Sequence, residues 1–169
     1  MMMTIAQDAT EADLTFLREA FSVAEGSRLE GDHPFGAVLV DDQGVVVMRQ
    51  GNGFSSEGHD MTAHAERLLA SRASKAFGAT RLRGFTLYSS AEPCAMCAGA
   101  IYWAGIGRVV YGQSEAHLKG MTGDHPENPT LDLPCRQVFA AGQTPTAVIG
   151  PLLEEEAAEL QRSFWEAKR

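Results

Sequence analysis

The chain is poor in cysteine and short of positive charge, and it has no long apolar run. Only three of its 169 residues are cysteines. That is too few for a disulfide framework, and two of them stand in a C-x-x-C, which in an intracellular protein points to metal or redox chemistry. Lysine and arginine number 14 against 22 acidic residues, a net charge of -8. Such a surface repels phosphate backbones unless its basic residues cluster, so nucleic acid is disfavoured as a partner. No apolar stretch approaches the roughly 18 residues of a membrane span. The opening MMMTIAQDATEADL lacks the basic and apolar regions of a secretory signal. A soluble, cytoplasmic protein is expected. No internal repeat and no long linker interrupt the chain, so residues 1–169 read as one domain with a sizeable core.

Strand and helix patterns alternate along the sequence. Thr10 and Asp13 form a capping box, with Asp in place of the usual Glu or Gln, ahead of a helical face of Leu14, Leu17, Phe21 and Ala24. That helix should fade between Gly26 and Gly31. Two Val-rich runs around Asp41-Asp42-Gln43-Gly44 read as a hairpin. Thr62 can cap a second helix that carries His64, Glu66, Leu68 and Leu69 and ends at Gly78. Phe85 to Ser90 is a short strand. Pro93 suits the first position of a third helix, which stops at Gly105. Arg108 to Gly112 and Thr146 to Gly150 are further strands. A final helix over about 153–169 has Glu154, Glu155 and Glu156 in its first turn, which suits the helix dipole. The segment from Gln113 to Gly142 is the least regular, and too long for a plain connector, so it reads as a functional loop. The alternation suggests a single sheet with helices on its faces.

Cys94 and Cys97 are three residues apart and face the same way on a helix, in the first turn, where the dipole lowers a thiol pKa. His64 also stands at a helix start, two residues before Glu66. Two helix N-termini that meet at the end of a sheet offer one imidazole and two thiolates to one ion. That Cys2His set is a catalytic zinc site with its fourth position left for water, whose pKa zinc lowers towards about 7. Glu66, one turn into its helix, is then placed as proton shuttle. A lone C-x-x-C also fits redox dithiols and structural half-sites. The redox reading wants a thioredoxin-like context early in the chain, which is missing. A structural zinc wants a fourth protein ligand, for which Cys135, His33, His59, His117 and His125 are spare. H-A-E at a helix start followed thirty positions on by P-C-A-M-C is the H-x-E…P-C-x-x-C signature of zinc deaminases.

With these residues in view, the chain resembles the cytidine deaminase superfamily, in the branch of bacterial guanine deaminases, yeast-type cytosine deaminases and tRNA adenosine deaminases. The resemblance runs from about Phe35 to Tyr111, through PFGAVLV, Gly51-Asn52, TAHAE, LYSSAEPCAMCAGAI and IGRVVYG. It implies a three-layer α/β/α sandwich around a mixed five-stranded sheet, usually as a homodimer with one zinc per subunit. By that resemblance His64, Cys94 and Cys97 match the zinc ligands and Glu66 the proton shuttle. Asn52 matches a substrate-binding Asn, and the amide of Ala65 and the carbonyl near Ala91 match groups that contact substrate or leaving ammonia.

The ring that is deaminated is less plainly written. An Asn amide offers donor and acceptor to a base edge, although Asn52 between two glycines also suits a turn. Phe35, Tyr102 and Trp103 are candidates for packing on a flat ring, with AIYWA similar to guanine deaminases. Glu115, Asp124 and Glu127 in the irregular segment are acids that can accept from a guanine amidine edge. The basic residues Arg67, Arg72, Lys75, Arg81 and Arg83 are as easily a solvated helix face as an RNA grip. The expected substrate is a small nucleobase or nucleoside, guanine or a guanine-like purine or triazine first. The alternatives are a tRNA adenosine and a cytosine- or cytidine-type ring.

Overall fold

A computed structural model describes residues 9–168. The core strands are buried on both faces, as strands between two helical layers must be. Strand β1 (Gly36–Val40) pairs antiparallel with β2 (Val46–Gly51) and with β3 (Thr86–Ala91). Strand β3 pairs parallel with β4 (Arg108–Gln113), and β4 pairs parallel with β5 (Ala147–Ile149). The mixed sheet therefore has the order β2-β1-β3-β4-β5. The expected hairpin is the β1–β2 turn, where Asp41 Oδ1 accepts from the backbone N–H groups of Gln43 and Val45.

Side-chain alternation sorts the core into two halves. Ala37, Leu39, Leu87, Val109 and Tyr111 face one layer. That layer is built from α2 (Ala65–Phe77), the short α3 (Ala79–Leu82) and α4 (Ala95–Ala104), with α6 (Cys135–Ala140) beside α4. Val38, Val40, Tyr88, Val110 and Ile149 face α1 (Glu11–Leu29) and α7 (Glu154–Glu166). The three-layer sandwich expected from the sequence is the observed fold. Helix α1 lies so close on the sheet that a Cβ at Gly36 would sit 2.8 Å from the Ala20 carbonyl oxygen. Its capping box is complete, and its buried side includes Leu17, Ala20, Phe21 and Ala24. No helix among the described residues is long and apolar enough to cross a membrane.

Two helix starts differ from expectation. Thr62 does not cap α2; its hydroxyl donates to Asp60 Oδ1 at 2.7 Å, and His64 holds the N-cap position. Pro93 is not the first residue of α4, because Cys94 is the N-cap and the helix begins at Ala95. The segment 113–142 is also more regular than its glycines and prolines suggest. It contains α5 (Glu115–Thr122), capped by Ser114, and α6, with a stretch of turns and irregular backbone over 123–134 between them.

Candidate metal centre

Strand β3 and the helix starts that follow the sheet bring the chemistry together. His64 is the N-cap of α2, and Cys94 is the N-cap of α4, with Cys97 in the first turn. None of these caps makes a side-chain capping bond in its helix; their side chains face one another instead. His64 Nδ1 lies 3.6 Å from Cys94 Sγ and 3.6 Å from Cys97 Sγ. Tetrahedral zinc with Zn–S of about 2.3 Å and Zn–N of about 2.0–2.1 Å requires an N···S separation of about 3.6 Å. The three residues therefore fit zinc as they stand. Hydrogen bonding from Cys97, then from His64, holds the Cys94 thiol down to about 4 against the opposing effect of burial. Cys97 is pushed well above its ordinary value by the hydrogen bond with Cys94 and by burial. Both thiols deprotonate when a divalent cation binds.

Among the described residues there is no fourth protein ligand of the kind a structural zinc requires. His64, Cys94 and Cys97 form the only such ligand group among the described residues. Cys135 is buried elsewhere, on the first turn of α6. His33 stacks on Trp165 with ring centroids 5.8 Å apart and lies 3.1 Å from Glu127 Oε2.

Glu66, in the first turn of α2, is 5 % exposed. Burial pushes its carboxyl above the usual range, with a hydrogen bond from Ser89 and the proximity of His64 opposing that rise. Ser89 Oγ lies 2.6 Å from Glu66 Oε1 and 2.6 Å from the Ala91 carbonyl oxygen. A hydroxyl has one proton to donate. Ser89 therefore donates to Glu66 when that carboxyl is ionised, and accepts from it, donating to Ala91, when it is protonated. The sequence reading missed Ser89; its only signal was its place in the strand that leads to Cys94.

These groups border a cavity of about 230 Å³, below the roughly 300 Å³ of the smallest drug-sized sites. Of the residues singled out by sequence, Phe35, Asn52, Ala91, Glu115 and Glu127 line it together with His64, Glu66 and Cys94. Ala65 is buried beside His64 but is not a lining residue. Asp124 is exposed on the 123–134 stretch and does not reach the cavity, because that stretch turns its other side inward through Glu127, Asn128 and Thr130. Trp103 is also displaced from expectation. It sits near the end of α4 and is 83 % exposed, and Tyr102 accepts a hydrogen bond from the Gln143 backbone away from the cavity.

Partner occupancy separates the polar lining residues. The Asn52 side-chain Oδ1 accepts from the Phe54 backbone N–H at 2.9 Å, forming the turn its glycine neighbours suggested, and its Nδ2 has no partner among the described residues. Glu127 is held by His33 and by Lys168 at 3.0 Å. The Glu115 carboxyl has no partner among the described residues, and burial, with the charges of Cys94 and Glu92 adding to it, pushes it up to about 7. Four glutamates line the cavity (Glu66, Glu92, Glu115 and Glu127), and among the described residues no lysine or arginine does. Four of the five basic residues that could have formed an RNA grip, all but Lys75, make contacts within the chain. Arg67 pairs with Asp60, Arg72 donates to Gln50, Arg81 lies over Phe77, and Arg83 donates to the Gly105 carbonyl.

Comparison with known proteins agrees with this geometry. Residues 10–113 match the family model of the cytidine and deoxycytidylate deaminase zinc-binding region. The chain is 41% identical over 164 residues to a probable cytosine deaminase of Schizosaccharomyces pombe, covering 96% of this chain and 98% of that one. It is 46% identical over 91 residues to a guanine deaminase of Bacillus subtilis, covering 53% of this chain and 57% of that one. A solved structure from a study of A-to-I editing by tRNA:A34 deaminases superposes with a TM-score of 0.67 at 34% identity, covering 87% of this chain and 99% of that one.

Proposed function

Because the chain belongs to the cytidine and deoxycytidylate deaminase family and is a zinc-dependent aminohydrolase, we propose that its substrate is a small neutral nucleobase or nucleoside, guanine or a guanine-like ring first. The observation that carries this is the charge of the cavity. Four glutamates and the metal-ligating Cys94 line a space of about 230 Å³, and among the described residues no lysine or arginine stands on its walls, which disfavours the phosphates that an RNA substrate brings.

His64, Cys94 and Cys97 would hold the zinc. When bound, zinc supplies the Lewis acidity that lowers the pKa of water towards about 7. Glu66 takes the proton from the attacking water on its carboxylate and delivers it to a ring nitrogen. The oxygen becomes bonded to the ring carbon that carries the exocyclic amine; Glu66, again a carboxylate, takes the remaining proton from that C–OH and passes it to the departing nitrogen, so that the C–N bond breaks, the carbonyl forms and ammonia leaves. Ser89 keeps a hydrogen bond to Glu66 in both protonation states. Asn52 Nδ2 donates to a ring acceptor, and Phe35 packs on the ring face. Glu115, without a partner among the described residues, pairs with the adjacent N–H and amine of guanine's amidine edge. The resemblance to cytosine deaminase over nearly the whole chain favours a cytosine-type ring as the second reading.

The test is ammonia release by the zinc-loaded protein from guanine, cytosine, adenine, their nucleosides, ammeline and an adenosine-containing anticodon stem-loop. Guanine or ammeline turnover is expected. Glu115→Gln is expected to lower kcat/KM for guanine roughly 10- to 100-fold, the worth of one charged hydrogen bond, while cytosine turnover changes little. Turnover of the stem-loop alone would reject the small-molecule reading.

We further propose a homodimer with one zinc per subunit, as the family resemblance implies. A tryptophan at 83 % exposure is a large apolar surface left uncovered by its own chain. Light scattering is expected to give twice the chain mass, and Trp103→Glu to shift it towards the monomer. Monomeric wild-type protein at micromolar concentration would refute this.

A further inference from the structure

Glu92 is 8 % exposed and stands two residues before the zinc ligand Cys94. Both of its carboxylate oxygens are committed to backbone. Oε1 accepts from the Glu115 N–H at 3.0 Å, and Oε2 accepts from the Cys135 N–H at 2.9 Å. Its own N–H donates to the Gln113 carbonyl at 2.7 Å. Glu115 is the first residue of α5 and Cys135 the first of α6, so one carboxylate satisfies an unpaired N–H at each helix start. These two positions are also the ends of the segment that forms one wall of the cavity through Glu115, Leu118, Glu127, Asn128 and Thr130. A twenty-residue excursion is thus closed on a single side chain that is anchored beside the metal.

We propose that Glu92 is a positioning residue, a staple that fixes the 115–135 wall at a set distance from the zinc ligands and thereby determines which ring the cavity accepts. It touches neither the metal ligands' donor atoms nor, in this reading, the reacting atoms; it acts through the placement of Glu115. Gln in its place keeps the shape but has one acceptor oxygen, and its amide group meets the second N–H donor to donor. Asp is one methylene too short to bridge both helix starts. The geometry of closure is therefore specific to Glu.

The experiment compares wild type, Glu92→Gln and Glu92→Ala as zinc-loaded full chains. Four quantities are measured: zinc stoichiometry, amide hydrogen exchange at Glu115 and Cys135 by NMR, KM and kcat separately, and the kcat/KM ratio of two ring substrates. In Glu92→Gln, zinc is expected to stay at the wild-type level and exchange at one or both amides to speed up roughly tenfold. KM should rise roughly tenfold with kcat little changed, and the preference between rings should shrink. Unchanged exchange, or an unchanged ring preference with faster exchange, would overturn the proposal. So would lost zinc, or a fall in kcat at constant KM, since either places the role at the metal. Should Glu92→Ala fail to fold, Glu92→Gln decides. The ring-preference measurement rests on reading the cavity as a base site. If wild type turns over none of the bases, that reading fails by itself, and exchange and zinc content still decide whether Glu92 staples the wall.

Discussion

Glu66→Gln is expected to lower turnover roughly 10²- to 10⁴-fold, the usual contribution of a positioned acid–base group, with zinc content unchanged. The change is nearly isosteric, and the amide oxygen can still accept from Ser89 Oγ, which lies 2.6 Å from the carboxylate oxygen now. What the amide cannot do is take up a proton and give it back. Glu66 is 5 % exposed, so bulk water has little access from which to substitute for it. The metal ligands are a different set of side chains, so binding of zinc survives. Ammonia release and metal analysis on the same preparation check both halves. A variant that keeps its zinc and turns over at the wild-type rate removes Glu66 from the mechanism. A variant that loses its zinc shows that Glu66 supports the metal site instead.

The metal centre was legible because its chemistry is carried by a few residue types at fixed spacings. An imidazole and two thiolates have few other uses at paired helix starts, and the sheet was legible because its strands are short β-branched runs set off by turn residues. Where the reading failed, the deciding contact was local competition or long-range packing. Thr62 looked like a cap, but Asp60 two residues back engages its hydroxyl. Gly120, Gly123 and three prolines suggested an irregular functional loop over 113–142, whereas Ser114 and Glu92 cap helix starts inside it. Trp103 and Asp124 have the right chemistry for a binding site, but nothing in a sequence states which side of a helix or loop the cavity lies on. Asp13 shows both sides at once. Its bond to Thr10, three residues away, was readable as a capping box. Its bonds to Tyr88 and Arg108, 75 and 95 residues away, were not.

Those distant bonds make Asp13 the site of the largest expected loss of stability. Its side chain is 2 % exposed. It accepts from both Arg108 terminal nitrogens at 2.8 and 2.7 Å, from the Tyr88 hydroxyl at 2.7 Å and from the Thr10 N–H at 2.9 Å. It thereby ties the start of α1 to β3 and β4, the two central parallel strands. Removing one partner of such a pair typically costs about 3–5 kcal/mol, because the other charge is left without its counterion. Asp13→Ala is placed near about 3 kcal/mol in that range, since the Arg108 side chain retains 28% exposure and can regain some water. Burial alone would raise the Asp13 carboxyl; the hydrogen bonds from Arg108, Thr10 and Tyr88 outweigh it and hold the group well below the carboxylate range. A depressed folded-state pKa stabilises the fold fully above the unfolded value of about 3.9, and the stabilisation is lost as pH falls from there towards the folded value. Asp13→Asn has no such titration. The stability gap between wild type and Asp13→Asn, measured by urea denaturation, is therefore expected to be constant from about pH 5 to 7 and to narrow below about pH 4. Equal stability at pH 7 would mean that Arg108 and Tyr88 find other partners at no cost. A gap that persists unchanged below pH 4 would mean that Asp13 stabilises the fold through shape and capping and not through its charge.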